Sequence, residues 1–286
     1  MDSIIILFIT GLIGLFAGMS KKPLASLLIA STGLIGAGLA AYYRGSYTSP
    51  FASYTAFIPT QGIVIILLCA VTLLAILGGF KRYKNDDEHT GDYLGLILFS
   101  LCGAILMAQP NDLMLFFIGL EILSIPIYVL VGIDKGSSTS AEAAVKYFFT
   151  GSFASAIILF GIALLYGATG SFQLIEIQSN LAIGIWQSPM AMIGSLFLLA
   201  GFTFKIGAVP FHFWGPDVYD GASNAVLMYM STVVKIAGVY ALVNVFGQVF
   251  RDSYFFWIDL VSLIIVISMF YGYITAWKHT SFRRLI

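Results

Sequence analysis

Four ionisable side chains in this sequence stand inside runs apolar enough to lie in a lipid bilayer: Glu121, Lys146, Lys205 and Lys235. A charge near the bilayer centre costs at least about 2.5–3.5 kcal/mol on insertion scales, so such residues face a bundle interior and pair with something there. Burial disfavours a protonated lysine, and a nearby carboxylate favours it. A lysine and a glutamate in one dry cavity therefore make a proton switch. The lysine keeps its proton while the carboxylate is close and releases it when the carboxylate is masked or displaced. The chemistry open to such residues is movement of an ion or proton, or service as a counter-ion. The sequence offers no redox motif, nucleotide-binding loop, metal-ligand cluster or nucleophile triad.

Each of the four has a local context. Glu121 stands about nine residues into its apolar run, roughly 14 Å at 1.5 Å per residue, with Ser124 and Tyr128 on the same helical face. Pro126 cannot donate to the carbonyl of Ile122, which loosens the helix one turn from the carboxylate. The plainer reading is a Glu that pins two helices together. Lys205 shares a face with Gly194, Leu198 and Gly201, which lets another helix approach closely. Gly207-Ala-Val-Pro210 follows, and should break the helix while it is still in the membrane. Broken helices at that depth line cavities, because their freed backbone groups need polar partners. A snorkelling interfacial lysine is the plainer alternative. The spacing puts Lys235 on one polar stripe with Ser231 and Asn224. Lys146 follows Glu142 at i+4, a favourable helix pair, and is close enough to a helix end to snorkel. His212, just past the break, could relay protons or could simply be packed.

These residues need elements that hold them in lipid. Of the 286 residues, 59% are hydrophobic and 10% charged, against about 25% charged in soluble domains. A globule cannot hide that much apolar surface, so lipid must be the solvent for much of it. Zero formal net charge gives no field that would invite nucleic acid. Nine segments are long enough to span: about 3–19, 24–43, 61–80, 92–109, 112–132, 141–167, 189–209, 224–247 and 254–277. No soluble domain lies between them; Gly170 to Asn180 reads as punctuation between spans and the charged run Lys81 to Glu88 as a solvated turn. Ile4 to Ala17 lacks a preceding basic residue and a following cleavage site, so it reads as a retained first span rather than a signal peptide. Cys69 and Cys102 read as small apolar filler.

Basic residues set the orientation. Loops after odd-numbered spans hold Lys21, Lys22, Lys81, Arg82, Lys84, Lys135, Lys278, Arg283 and Arg284, and loops after even-numbered spans hold only Arg44 and Arg251. Basic loops stay cytoplasmic, so the N-terminus is expected on the non-cytoplasmic side. The last residues, from His279 to Ile286, read as a basic turn entering a tenth helix, which suggests a piece of a longer protein.

Three stretches resemble a known family: Ile118 to Leu130 around Glu121, Ala141 to Tyr147 around Lys146, and Gly201 to Ala222 around Lys205. Ser231 to Ala237, around Lys235, continues the match. From about residue 90 onward the chain resembles the antiporter-like membrane subunits of respiratory complex I. The Pro216-Asp-Val-Tyr-Asp-Gly221 wording is most similar to the subunit N type of the bacterial proton-pumping NADH–quinone oxidoreductase. The resemblance implies an all-α polytopic bundle of about nine spans plus the start of a tenth. It implies an antiporter-like inverted-repeat fold with the seventh span broken. Residues 1–89 would be three N-terminal helices, 90–250 the first five-helix repeat, and 251–286 the start of a truncated second. Glu121 would be the pairing glutamate, facing Lys205 in hydrogen-bond or one-water range, and Lys205 the pump lysine. Lys235 would be the connecting lysine of a central polar axis and Lys146 a supporting one, with His212 a relay candidate. No cofactor is implied in this chain; FMN, iron–sulfur clusters and quinone would belong to partner subunits. The partners implied are the antiporter-like subunit M and the small membrane subunits J and K, in a bacterial inner membrane. One departure is Gly221-Ala-Ser-Asn-Ala225, where the family pattern leads one to expect a proline. A multi-subunit cation/proton antiporter shares the Glu and lysines and stays open as an alternative. A purely structural membrane scaffold leaves the buried charges and the break unexplained.

Overall fold

A computed structural model of the chain describes residues 1–19, 22–43, 59–79, 89–182, 188–251, 254–278 and 281–285. Within them lie α1 (Asp2–Gly18), α2 (Pro23–Tyr43), α3 (Pro59–Gly78), α4 (Thr90–Ala108), α5 (Leu113–Val131) and α6 (Ser138–Thr169). They are followed by α7 (Leu174–Ala182), α8 (Pro189–Ile206), α9 (Gly215–Gly221), α10 (Asn224–Val249), α11 (Tyr254–Ala276) and α12 (Phe282–Leu285). All nine expected spans are present, with ends displaced by three residues at most. Eight of these described helices are long and apolar enough to cross a bilayer, and α1 is a little shorter at 17 residues. The loop positions Lys21, Arg44, Lys81 to Glu88, Asp252 and His279 lie outside the described residues.

Two short helices correct the sequence reading. Gly170 to Asn180 is more than punctuation between spans: it holds most of α7, whose buried Leu174, Ile177 and Leu181 form one apolar stripe. Nine residues cannot span a bilayer, so a length criterion passes over such an element. The seventh span resumes after its break as α9.

Packing explains which helices can carry charge. Helix α4 is apolar around its whole circumference and almost wholly buried, with α1, α2, α3, α5 and α10 packed around it. A helix apolar all round belongs inside the bundle or in lipid. Helix α11 takes the other option and exposes Leu263, Ile267, Phe270 and Ile274. Helices α6 and α8 approach at Gly161 and Gly194. A Cβ on Gly161 would stand 2.9 Å from the Gly194 carbonyl oxygen, and one on Gly194 would stand 3.0 Å from that of Gly161. The same seam sets Ile158 against Gly201, one turn before Lys205. The expected close-packing face of α8 is therefore real, and α6 fills it.

The connections sort by parity to two ends. Residues after the third, fifth, seventh and ninth spans (Gly79, Asp134, Gly221 and Arg283) line one cleft. Connections after the fourth and sixth spans meet elsewhere, where Leu113 N–H donates to the Phe172 carbonyl at 2.9 Å and Leu174 N–H to that of Asn111 at 3.1 Å. This is the alternation that the nine-span count requires.

Candidate proton-transfer site

The site is built on the end of α8. Gly207 adopts φ 78 and ψ 31, left-handed values that suit glycine. Its N–H donates to the Phe204 carbonyl at 3.0 Å, and the Ala208 N–H to that of Thr203 at 2.9 Å. This is the Schellman closure of a helix. The chain then turns through Val209 to Trp214, with a cis Val209–Pro210 peptide, and starts α9 at Gly215. The expected break between Gly207 and Pro210 is therefore present.

Backbone groups freed inside a membrane need partners, and three other segments provide them. The Lys235 ammonium of α10 donates to the Ile206 carbonyl at 2.6 Å. The Trp214 indole N–H donates to the Phe204 carbonyl at 3.2 Å. Val209 N–H donates to the Ser268 hydroxyl of α11 at 3.0 Å. Lys235 also sits over the Trp214 ring, 4.9 Å from its centroid, and 5.8 Å from that of Tyr219. Gly207 is needed here for a second reason: a Cβ on it would stand 2.9 Å from the Lys235 nitrogen.

Lys205 lies one residue before the end of α8 and is 5% exposed. Its ammonium donates to the Ser124 hydroxyl of α5 at 2.5 Å, and Ser124 in turn donates to the Leu120 carbonyl. Tyr128, Gly151, Ser155 and Phe204 surround it, with a gap of about 10 Å³, room for about one water. Glu121 is the ninth residue of α5, and its Oε1 is buried without a hydrogen-bond partner.

The direct form of the expected pairing is not made among the described contacts, and its one-water form is not contradicted. No described hydrogen bond or ion pair joins Glu121 to Lys205, although Glu121 is within electrostatic reach of it. Ser124 and Glu121 share a face three residues apart, and the lysine meets that face at the serine. Helical spacing gives the face; only tertiary packing gives the height along it.

Lys146 is also placed differently. Its side chain is 45% exposed, and it pairs with Glu142 at 2.7 Å, as the spacing indicates, and with Asp217 of α9 at 2.8 Å. It ties the half-helix to α6 rather than sitting in a dry interior. The stripe of Asn224, Ser231 and Lys235 is interrupted, because Met230–Val234 form a π turn that upsets the 3.6-residue repeat. Ser231 donates to the Met228 carbonyl of its own helix. His212 packs its ring 4.2 Å from that of Tyr271 and lines a cavity of about 430 Å³ with Lys235, Asp217 and Ser268. At the departure from the family pattern, Ala222 and Ser223 are extended, the conformation a following proline would impose. The geometry survives without one.

Sequence reasoning placed Ser124 on the right face without assigning it Lys205. It passed over Asp217, Trp214 and Ser268 as partners. Asp217 and Trp214 lie inside the family-like stretch Gly201 to Ala222, whereas a lone serine in an apolar span gives almost no signal.

Comparison with known proteins places this geometry in context. Residues 110–286 match the model of the family described as NADH:quinone oxidoreductase/Mrp antiporter, TM. NADH-quinone oxidoreductase subunit N of Cytophaga hutchinsonii is 35% identical over 257 residues, covering 88% of this chain and 54% of that protein. The chain spans about half the length of such curated relatives. Among solved structures, a chain of respiratory complex I from Thermus thermophilus superposes with a TM-score of 0.81 at 27% identity, over 99% of this chain and 60% of that one. A chain of the Mrp complex from Dietzia sp. superposes with a TM-score of 0.79 at 22% identity, over 98% of this chain and 54% of that one, which is likeness of fold.

Proposed function

This chain belongs to the NADH:quinone oxidoreductase/Mrp antiporter transmembrane family, and we propose that it translocates protons as a subunit-N-type membrane component of a proton-pumping NADH–quinone oxidoreductase. One observation carries the reading: two lysines of different helices meet at one helix break. Lys205 is buried on Ser124 one residue before it, and Lys235 holds the Ile206 carbonyl beside it.

A charged ammonium binds a carbonyl roughly twice as strongly as a neutral donor does. Protonated Lys235 therefore holds the end of α8 closed, and loss of its proton loosens the Ile206–Gly207 peptide, one residue past Lys205. Proton occupancy at one lysine is in this way linked to the backbone that positions the other. The free oxygen of Glu121 offers Lys205 a second, charged partner one turn from Ser124. Exchange of Lys205 between the two would alternately favour and disfavour its proton. His212 and Lys146 would serve on the same path, His212 through the cavity shared with Lys235 and Lys146 by holding α9 through Asp217.

Under this reading residues 90–250 are the translocating core, with 1–89 preceding it and 251–286 opening a second repeat. Other membrane subunits, of types M, J and K, would flank it, and the flavin, iron–sulfur and quinone chemistry would lie in partner chains. Co-purification tests the assembly. Flavin- and iron–sulfur-bearing subunits retained with a tagged full-length subunit support it; a complete, active assembly without them indicates a cation/proton antiporter instead. Thiol labelling tests the orientation. Ser137→Cys, on the odd-numbered end, should resist an impermeant external reagent in intact cells, and Ser171→Cys should react. The opposite pattern reverses the topology.

A further inference from the structure

Asp220, the penultimate residue of α9, is gripped from 61 to 64 positions away along the chain. Arg284 reaches one carboxylate oxygen with Nη2 at 2.9 Å and Nε at 3.0 Å. The Ser281 hydroxyl reaches the other oxygen at 3.3 Å, and Arg283 Nη1 donates to the Asp220 backbone carbonyl at 3.1 Å. The grip stands between two spaces. A polar cleft of about 530 Å³ is lined by Asp134, Ser137, Asp220, Asn224 and Arg283. The cavity of about 430 Å³ that contains Lys235, His212 and Asp217 has Arg284 in its wall. Neighbouring arginines thus line different spaces, and the Asp220 carboxylate, which lines the cleft, is paired with Arg284, which lines the cavity.

We propose that the Asp220–Arg284 ion pair is a gate between the polar cleft and the cavity in front of Lys235. The pair is suited to opening, since its side chains are 38% and 39% exposed, and pairs of that exposure are weak. Opening it leaves the half-helix in place, because Val218 and Tyr219 of α9 are buried, Gly221 packs against the Thr139 backbone, and the Schellman closure of α8 does not involve Asp220. The gate deepens the proton-translocation reading and rests on it for what passes through; whether water passes can be measured separately.

The test uses the full-length subunit in its assembled complex, in sealed vesicles. Thr275→Cys places a thiol on the wall of the cavity that Lys235 lines, at a residue given no role in proton transfer. A water-soluble thiol reagent supplied to the cleft side should label it about five-fold faster when Asp220→Asn is added, as expected for loss of a half-exposed ion pair. The charge swap Asp220→Arg with Arg284→Asp should return labelling towards the starting rate, which repair of a merely misfolded α9 would not predict. Unchanged labelling in an assembled Asp220→Asn complex overturns the gate. Passive proton leak in the same vesicles should rise by a similar factor and should vanish when Lys235→Met is added. Faster labelling without that leak upholds the gate for water and counts against proton translocation, so the two ideas fail separately.

Discussion

The Lys235 ammonium lies 2.6 Å from the backbone carbonyl oxygen of Ile206, the residue that follows Lys205. Lysines 30 positions apart along the chain (235 − 205) are thereby joined through a single residue, Ile206, of the seventh span. The joint exists because α8 stops at Gly207 and leaves that carbonyl without a helical partner.

Lys235→Met keeps an unbranched side chain one atom shorter and removes the donor. The part-buried Ile206 carbonyl then loses its described side-chain partner, at a cost of about 1 kcal/mol. Thermal unfolding of the purified complex should report a lower midpoint for this subunit, with Lys235→Arg closer to the wild type. An unchanged midpoint for Lys235→Met would show that the contact does not hold the break.

Ser124→Ala removes the only described hydrogen-bond partner of the Lys205 ammonium. The lysine should shift towards Glu121, whose Oε1 is unpartnered. A hydrogen bond to a charged group contributes about 1.5–3 kcal/mol, so translocation should slow by about ten-fold or more while assembly is kept. Wild-type pumping by this variant would remove Ser124 from the site.

Gly207→Ala meets two penalties at once, a φ of 78 and the Lys235 nitrogen 2.9 Å from the new Cβ. The backbone term alone is about 1–2 kcal/mol. Gly247→Ala is the matched control, because a Cβ there meets nothing within 4 Å in regular helix. That change should be neutral or stabilising by up to about 1 kcal/mol. Equal unfolding midpoints for the two variants would contradict the account of the break.

The sequence was informative where a single segment decides the outcome. Length and apolarity alone give the spans, because lipid forces each backbone to satisfy itself. Gly207 and Pro210 give the break for the same local reason. What could not be read is set between segments. Lys205 meets Ser124 rather than Glu121 because α8 stops at a particular height beside α5. Lys146 takes Asp217 as partner across 71 positions of chain, a distance no helical repeat covers. The π turn at Met230–Val234 has no compositional mark, yet it shifts every face argument made across it. Helix α7 is too short to be recognised by a spanning criterion.

The central claim is that the buried Lys205, with Ser124 and Glu121 around it, carries the proton. The most direct measurement is the number of protons moved per electron transferred by reconstituted complex carrying Lys205→Ala, Glu121→Ala, or both. Each single variant should assemble and lose most of its pumping. The double should be little worse than either, since residues of one unit are not additive. Both single variants assembling normally and pumping at the wild-type ratio would contradict the account.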